Sequence, residues 1–89
     1  MRRARRVDAN QPEIVGALRA IGCSVETLSD VGRGVPDLLV GYRGLNFLLE
    51  VKAGKGALTD KEETWIGTWR GAAIVVRTVE EAIQAVRGN

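Results

Sequence analysis

The chain has 89 residues, with 13 Lys and Arg against 11 Asp and Glu, a net charge of +2, a single cysteine and no histidine. This length implies one domain with a modest core, and the missing histidine excludes His-ligated metal sites and Ser-His or Cys-His nucleophiles. Lone Cys23 excludes an internal disulfide, no apolar run approaches a membrane span, and no apolar stretch follows the basic N-terminus, so a cytoplasmic location is expected.

Residues 1–9 read as a basic arm carrying Arg2, Arg3, Arg5 and Arg6. Such a cluster serves either as phosphate contacts or as a solvated tail. The domain is expected over residues 10–89. Asn10 is placed to cap a first helix, with Pro12 and Glu13 in its opening turn. Ile14, Leu18 and Ile21 recur at helical spacing, and Gly22 ends the helix. Residues 23–28 read as a first strand, in which Cys23 is a small buried apolar residue rather than a nucleophile. Residues 29–35 form a loop containing Gly32 and Gly34. These glycines precede a strand, so they are no dinucleotide fingerprint; they would let backbone approach a phosphate that Arg33 reaches.

Two apolar runs follow, over residues 35–40 and 45–52, and residues 41–44 read as the turn of a hairpin. Thr59-Asp60-Lys61-Glu62 is a capping box opening a second helix. Trp65, Ile66 and Trp69 lie on its apolar side; at this spacing the tryptophans are expected in the core, with base stacking as the alternative. Ala72–Val76 is a continuous apolar run suited to a buried strand. Thr78-Val79-Glu80-Glu81 is a second capping box, and Val79, Ala82, Ile83 and Val86 face inward on a last helix. The element order is therefore αβββαβα, an α/β domain.

The chemistry concentrates at Pro36-Asp37 and Glu50-Val51-Lys52. Charges are scarce in apolar strands unless paired or ligating metal. Side chains alternate along a strand, so Glu50 and Lys52 share one face. A hairpin brings Asp37 beside them. Two hard oxygen donors suit Mg²⁺ or Mn²⁺, and a lysine beside them can orient water and stabilise charge developing on a phosphate. The plainer alternatives are a turn residue at Asp37 and a same-face ion pair between Glu50 and Lys52. Arg33, Lys55 and Lys61 cluster nearby in sequence as candidate nucleic-acid contacts.

Gly34-Val35-Pro36-Asp37, Glu50-Val51-Lys52, and Leu58-Thr59 followed by Trp65 resemble the PD-(D/E)xK nuclease superfamily, and within it the stand-alone phage-type VRR-NUC (virus-type replication-repair nuclease) domains. The resemblance runs from about Asn10 to the C-terminus. It implies a restriction-endonuclease-like domain with a mixed central sheet flanked by helices. It implies a metal-dependent DNA endonuclease in which Asp37, Glu50 and the Val51 backbone carbonyl ligate Mg²⁺ or Mn²⁺. Glu13 would complete the acidic cluster, and Lys52 would act on the attacking water. It also implies a homodimer acting on branched DNA such as Holliday junctions, encoded by a phage or prophage in a bacterial host. The arginine-rich, Ala-, Gly- and Val-rich composition suits such a source in a GC-rich host. Relatives often carry glutamine where this chain has Glu62, so Glu62 is expected to act as the partner of Thr59 in the capping box. The rival readings are a catalytically silent nucleic-acid-binding module of the same fold and a metal-free structural domain.

Overall fold

A computed structural model describes residues 8–88. Three helices and four strands follow in the order α1 (Gln11–Ala20), β1 (Ser24–Thr27), β2 (Leu38–Tyr42), β3 (Leu45–Val51), α2 (Asp60–Thr68), β4 (Ala73–Val76) and α3 (Val79–Arg87). The strands form one sheet in chain order: β1, β2 and β3 are antiparallel neighbours, and β4 joins β3 in parallel. The molecule is thus a small α/β domain with a mixed sheet. Among the described residues no helix is long and apolar enough to cross a membrane. The arginines of the expected basic arm, Arg2, Arg3, Arg5 and Arg6, lie outside the described residues.

The core follows from strand alternation. Val25, Val40, Leu38 and Leu49 project from one face of the sheet and meet Val51 and Val76. Ile14 and Leu18 of α1 and Ala82 and Val86 of α3 cover that face. All of these are at least nine-tenths buried. Cys23 joins them as a small apolar residue, and burial pushes its thiol up from the ordinary value, against the nearby charge of Arg87. The opposite face carries Leu39, Leu48 and Glu50, and α2 reaches this side through Glu62, which binds Lys52.

The hairpin turn is tighter than the sequence suggests. Gly41 and Tyr42 belong to β2, and Tyr42 pairs with Leu45. Only Arg43 and Gly44 turn, both with positive φ (52° and 83°), as a two-residue turn matching strand twist requires. The Arg43 guanidinium lies 5.1 Å from the Tyr42 ring centre, a local contact that holds this conformation.

Asn10 does not cap α1 through its side chain. Its amide instead donates to the carbonyls of Lys52 (3.2 Å) and Arg77 (2.9 Å), fastening the start of α1 to the ends of β3 and β4. At α3, Thr78 caps as expected by accepting from the Glu81 amide, but Glu81 reaches past it to the Arg77 amide. The Arg77 guanidinium in turn donates to the carbonyls of Gly54 and Gly56, pinning the loop after β3.

Candidate metal and phosphate site

Register brings the two carboxylates together. Leu38 faces Leu49 across the antiparallel β2–β3 pair, so Asp37 stands opposite Glu50, immediately before β2 begins. Asp37 is held from two sides. Its carbonyl accepts from the Leu28 amide at 2.7 Å, and its Oδ2 accepts from the Val51 amide at 2.8 Å. The preceding Pro36 is fully buried. Lys52 is fixed along its main chain as well: its amide donates to the Val76 carbonyl and its carbonyl accepts from Asn10.

Glu50 projects from the face that Glu62 of α2 reaches. It is 1 % exposed, and its Oε1 has no hydrogen-bond partner. Burial, followed by the charges of Asp37 and Glu62 and a hydrogen bond to Asp37 that favours the protonated form, pushes its carboxyl up to about 9. Desolvation disfavours its anion, and neighbouring anions oppose a third negative charge. The nearest ammonium gives little relief: Lys52 Nζ is 3.9 Å from Glu50 Oε2 but 2.8 Å from Glu62 Oε1.

Glu62 is the site residue that local sequence reasoning leaves aside. The capping box is present: Glu62 donates its amide to Thr59 Oγ1 (3.2 Å), and its Oε1 accepts from the Thr59 amide (2.9 Å). The same oxygen accepts from Lys52. One carboxylate therefore closes the start of α2 and binds the lysine. Burial acts to raise the Glu62 carboxyl, but the Lys52 and Thr59 donors outweigh it and hold the group below the ordinary range. For Lys52, burial acts to lower the ammonium, and Glu62 reverses this and holds it above.

These groups line a cavity of about 250 Å³ with Asp8, Asp37, Val51 and Thr59. Asp8 belongs to the stretch expected as an arm, yet its carbonyl accepts from the Gln11 amide and it lines the site. Glu13 is a correction. The inward stripe of α1 is Gln11, Ile14 and Leu18, and Glu13 points nearly opposite, exposed in the first turn and outside the cavity lining. The carboxylate that joins Asp37 and Glu50 is Glu62. Among the described residues, no three acidic, histidine or cysteine side chains form a ready-made metal cage. The donors suited to a hard cation are thus two carboxylates, Asp37 and Glu50, and the Val51 carbonyl. The unpartnered Glu50 oxygen fits that role, because a cation would satisfy it and relieve the crowding of like charges.

Arg33 and Lys61 lie close by, and Lys55 is exposed on the loop after β3. Gly32, Arg33 and Gly34 all have positive φ. Gly34 is buried against the main chain of Lys61, where a Cβ would overlap the carbonyl of that residue. The loop before Asp37 and the first turn of α2 are therefore in backbone contact. The tryptophans are a second correction. Glu62 is the only buried residue of α2, and Trp69 is 48 % exposed. Trp65 and Trp69 stack on each other, with ring centres 4.4 Å apart and planes at 18°, instead of entering the core. No family model, curated protein or solved structure matches the chain.

Proposed function

We propose that the protein is a metal-dependent deoxyribonuclease of the PD-(D/E)xK type, with the restriction-endonuclease-like arrangement that its element order resembles. The observation that carries this reading is the buried Glu50 carboxylate, crowded by Asp37 and Glu62, with one oxygen unpartnered and a lysine alongside. A structural ion pair needs no such orphan; replacing it by apolar residues would be neutral or favourable.

Asp37, Glu50 and the Val51 carbonyl would hold Mg²⁺ or Mn²⁺. The chemistry such an ion supplies is Lewis acidity, which acidifies water and neutralises charge on the phosphate, so that no histidine base is needed. Asp37 keeps its orientation through the Val51 amide, which fixes one oxygen and directs the carboxylate toward Glu50. Glu50, whose carboxyl holds its proton in the metal-free fold, would release that proton to solvent on binding the ion and serve as an anionic ligand. Lys52 keeps its proton: its charge faces the attacking water and the phosphate and stabilises the pentavalent transition state. Glu62 keeps that ammonium charged and at a fixed place.

The preferred substrate is branched DNA such as a four-way junction, and the assembly is a homodimer. One site on so small a domain reaches one phosphate, and a two-fold pair supplies two symmetric cuts. The test is incubation with labelled four-way junction, linear duplex and single strand in Mg²⁺, Mn²⁺ or EDTA. Cleavage in either metal, absent in EDTA and fastest on the junction, is expected. Metal-dependent cleavage with no preference for the junction would remove the branched substrate only. Intact DNA in every metal, with binding retained, would favour the silent binding module.

A further inference from the structure

We infer that the Trp65–Trp69 stack is a platform for an unpaired nucleotide, so that the protein grips single-stranded DNA next to the cavity of Asp37 and Glu50. The inference rests on the nucleic-acid reading above but not on catalysis. Beside the stack runs a groove of about 470 Å³ lined by Arg33, Asp60, Lys61, Thr64, Trp65 and Thr68. Its lining pairs two cations with one acid and carries the ring of Trp65. Trp69 continues the stack into an apolar hollow that includes Leu39, Phe47 and Leu48.

Three features favour a nucleic-acid strand as occupant. The rings stack face to face, so the pair presents outer faces and edges to a further ring, with Trp69 48 % exposed, and stacking on an aromatic face tolerates any base. Arg33 and Lys61 both line this groove, and their main chains are held together because Gly34 packs against the Lys61 backbone. The same two segments wall the catalytic cavity: Asp37 is three residues beyond Gly34, and Glu62 follows Lys61. A backbone held by Arg33 and Lys61 thus runs along the two segments that also carry Asp37 and Glu62. A duplex offers phosphates to this groove but keeps its bases stacked inside, so the platform selects strands with unpaired bases, as at a junction or flap.

The chain has two tryptophans, both in this pair, so tryptophan emission excited selectively over that of Tyr42 reports on the platform alone. The experiment titrates the full chain in EDTA with a short oligothymidylate and, separately, a blunt duplex. Saturable quenching by the single strand is expected, with affinity at least about ten-fold above that for the duplex. Trp69→Ala should weaken single-strand binding by roughly 5- to 150-fold, the range for one stacked base. Trp69→Phe should restore most of it, which separates stacking from a folding defect. Arg33→Ala with Lys61→Ala should reduce the slope of log affinity against log salt by about 1.4. Equal binding of single strand and duplex, or unchanged affinity in Trp69→Ala, would overturn the inference. So would a spectrum that shifts with protein concentration alone, which would mean that a second copy covers the stack. Absence of cleavage in the metal assay, with this quenching intact, would refute only the nuclease reading.

Discussion

Replacing Glu50 by glutamine should make the metal-free protein more stable at neutral pH. The folded state raises the Glu50 carboxyl from 4.5 to about 9, so the fold binds this proton more tightly than the unfolded chain does. Below pH 4.5 both states are protonated and Glu50 adds no penalty. Between 4.5 and 9 the unfolded chain loses the proton while the fold retains it, and stability falls by about 1.4 kcal/mol per pH unit. At pH 7 the accumulated loss is on the order of 3 kcal/mol, rising to about 6 above pH 9. Glu50 is nearly inaccessible, so solvent screening removes little of this. Glutamine keeps the shape and carries no charge, so Glu50→Gln should gain about 3 kcal/mol at pH 7, or roughly 16 °C in Tm for a domain of this size. Urea denaturation of both proteins in EDTA at pH 5, 7 and 9 measures it: the curves should nearly coincide at pH 5 and diverge above. A Glu50→Gln protein no more stable than the parent at pH 9 would refute the burial of an unrelieved carboxylate. Millimolar Mn²⁺ should raise the Tm of the parent by mass action and leave Glu50→Gln and Asp37→Asn unmoved.

Other consequences are separate. The Glu62 carboxyl lies below its ordinary value, so its contribution is present above the unfolded value of 4.5 and is lost as pH falls through the folded value. Glu62→Gln should therefore flatten acid unfolding below pH 4.5 while the capping box, which tolerates glutamine, keeps α2 intact by circular dichroism. Gly34→Ala combines positive φ with overlap on the Lys61 carbonyl and should cost roughly 3 kcal/mol or more by urea denaturation. Deleting residues 1–6 should weaken DNA binding and flatten its salt dependence if Arg2, Arg3, Arg5 and Arg6 contact phosphates; an unaltered slope in a filter-binding series would make them a passive tail.

The element order and the meeting of Asp37, Glu50 and Lys52 were legible because each rests on a local rule. Period-two alternation puts Glu50 and Lys52 on one face, and a hairpin returns the chain past Asp37. The register was less so: the turn is two residues, not four, because Arg43 accepts a left-handed conformation that its type rarely adopts. Asn10 looked like a cap because capping preference is local, whereas its partners are the carbonyls of Lys52 and Arg77, distant in sequence. Glu62 was hidden by a sufficient local explanation, since one oxygen serves both the capping box and Lys52. Helical spacing placed Trp65 and Trp69 on an apolar face but carries no information on whether anything covers it. Glu13 shares a turn with the inward stripe and still faces solvent, because a helix rotates 100° per residue.

Single-turnover cleavage of a labelled junction by Lys52→Ala, alongside its DNA affinity, separates action on the transition state from binding. Cleavage in Mn²⁺ should fall by orders of magnitude relative to the parent protein while affinity changes little, because the ammonium acts on charge that develops only in the transition state. Metal-dependent cleavage that persists at the parental rate in Lys52→Ala would place the reaction elsewhere and contradict the assignment of Asp37, Glu50 and Lys52.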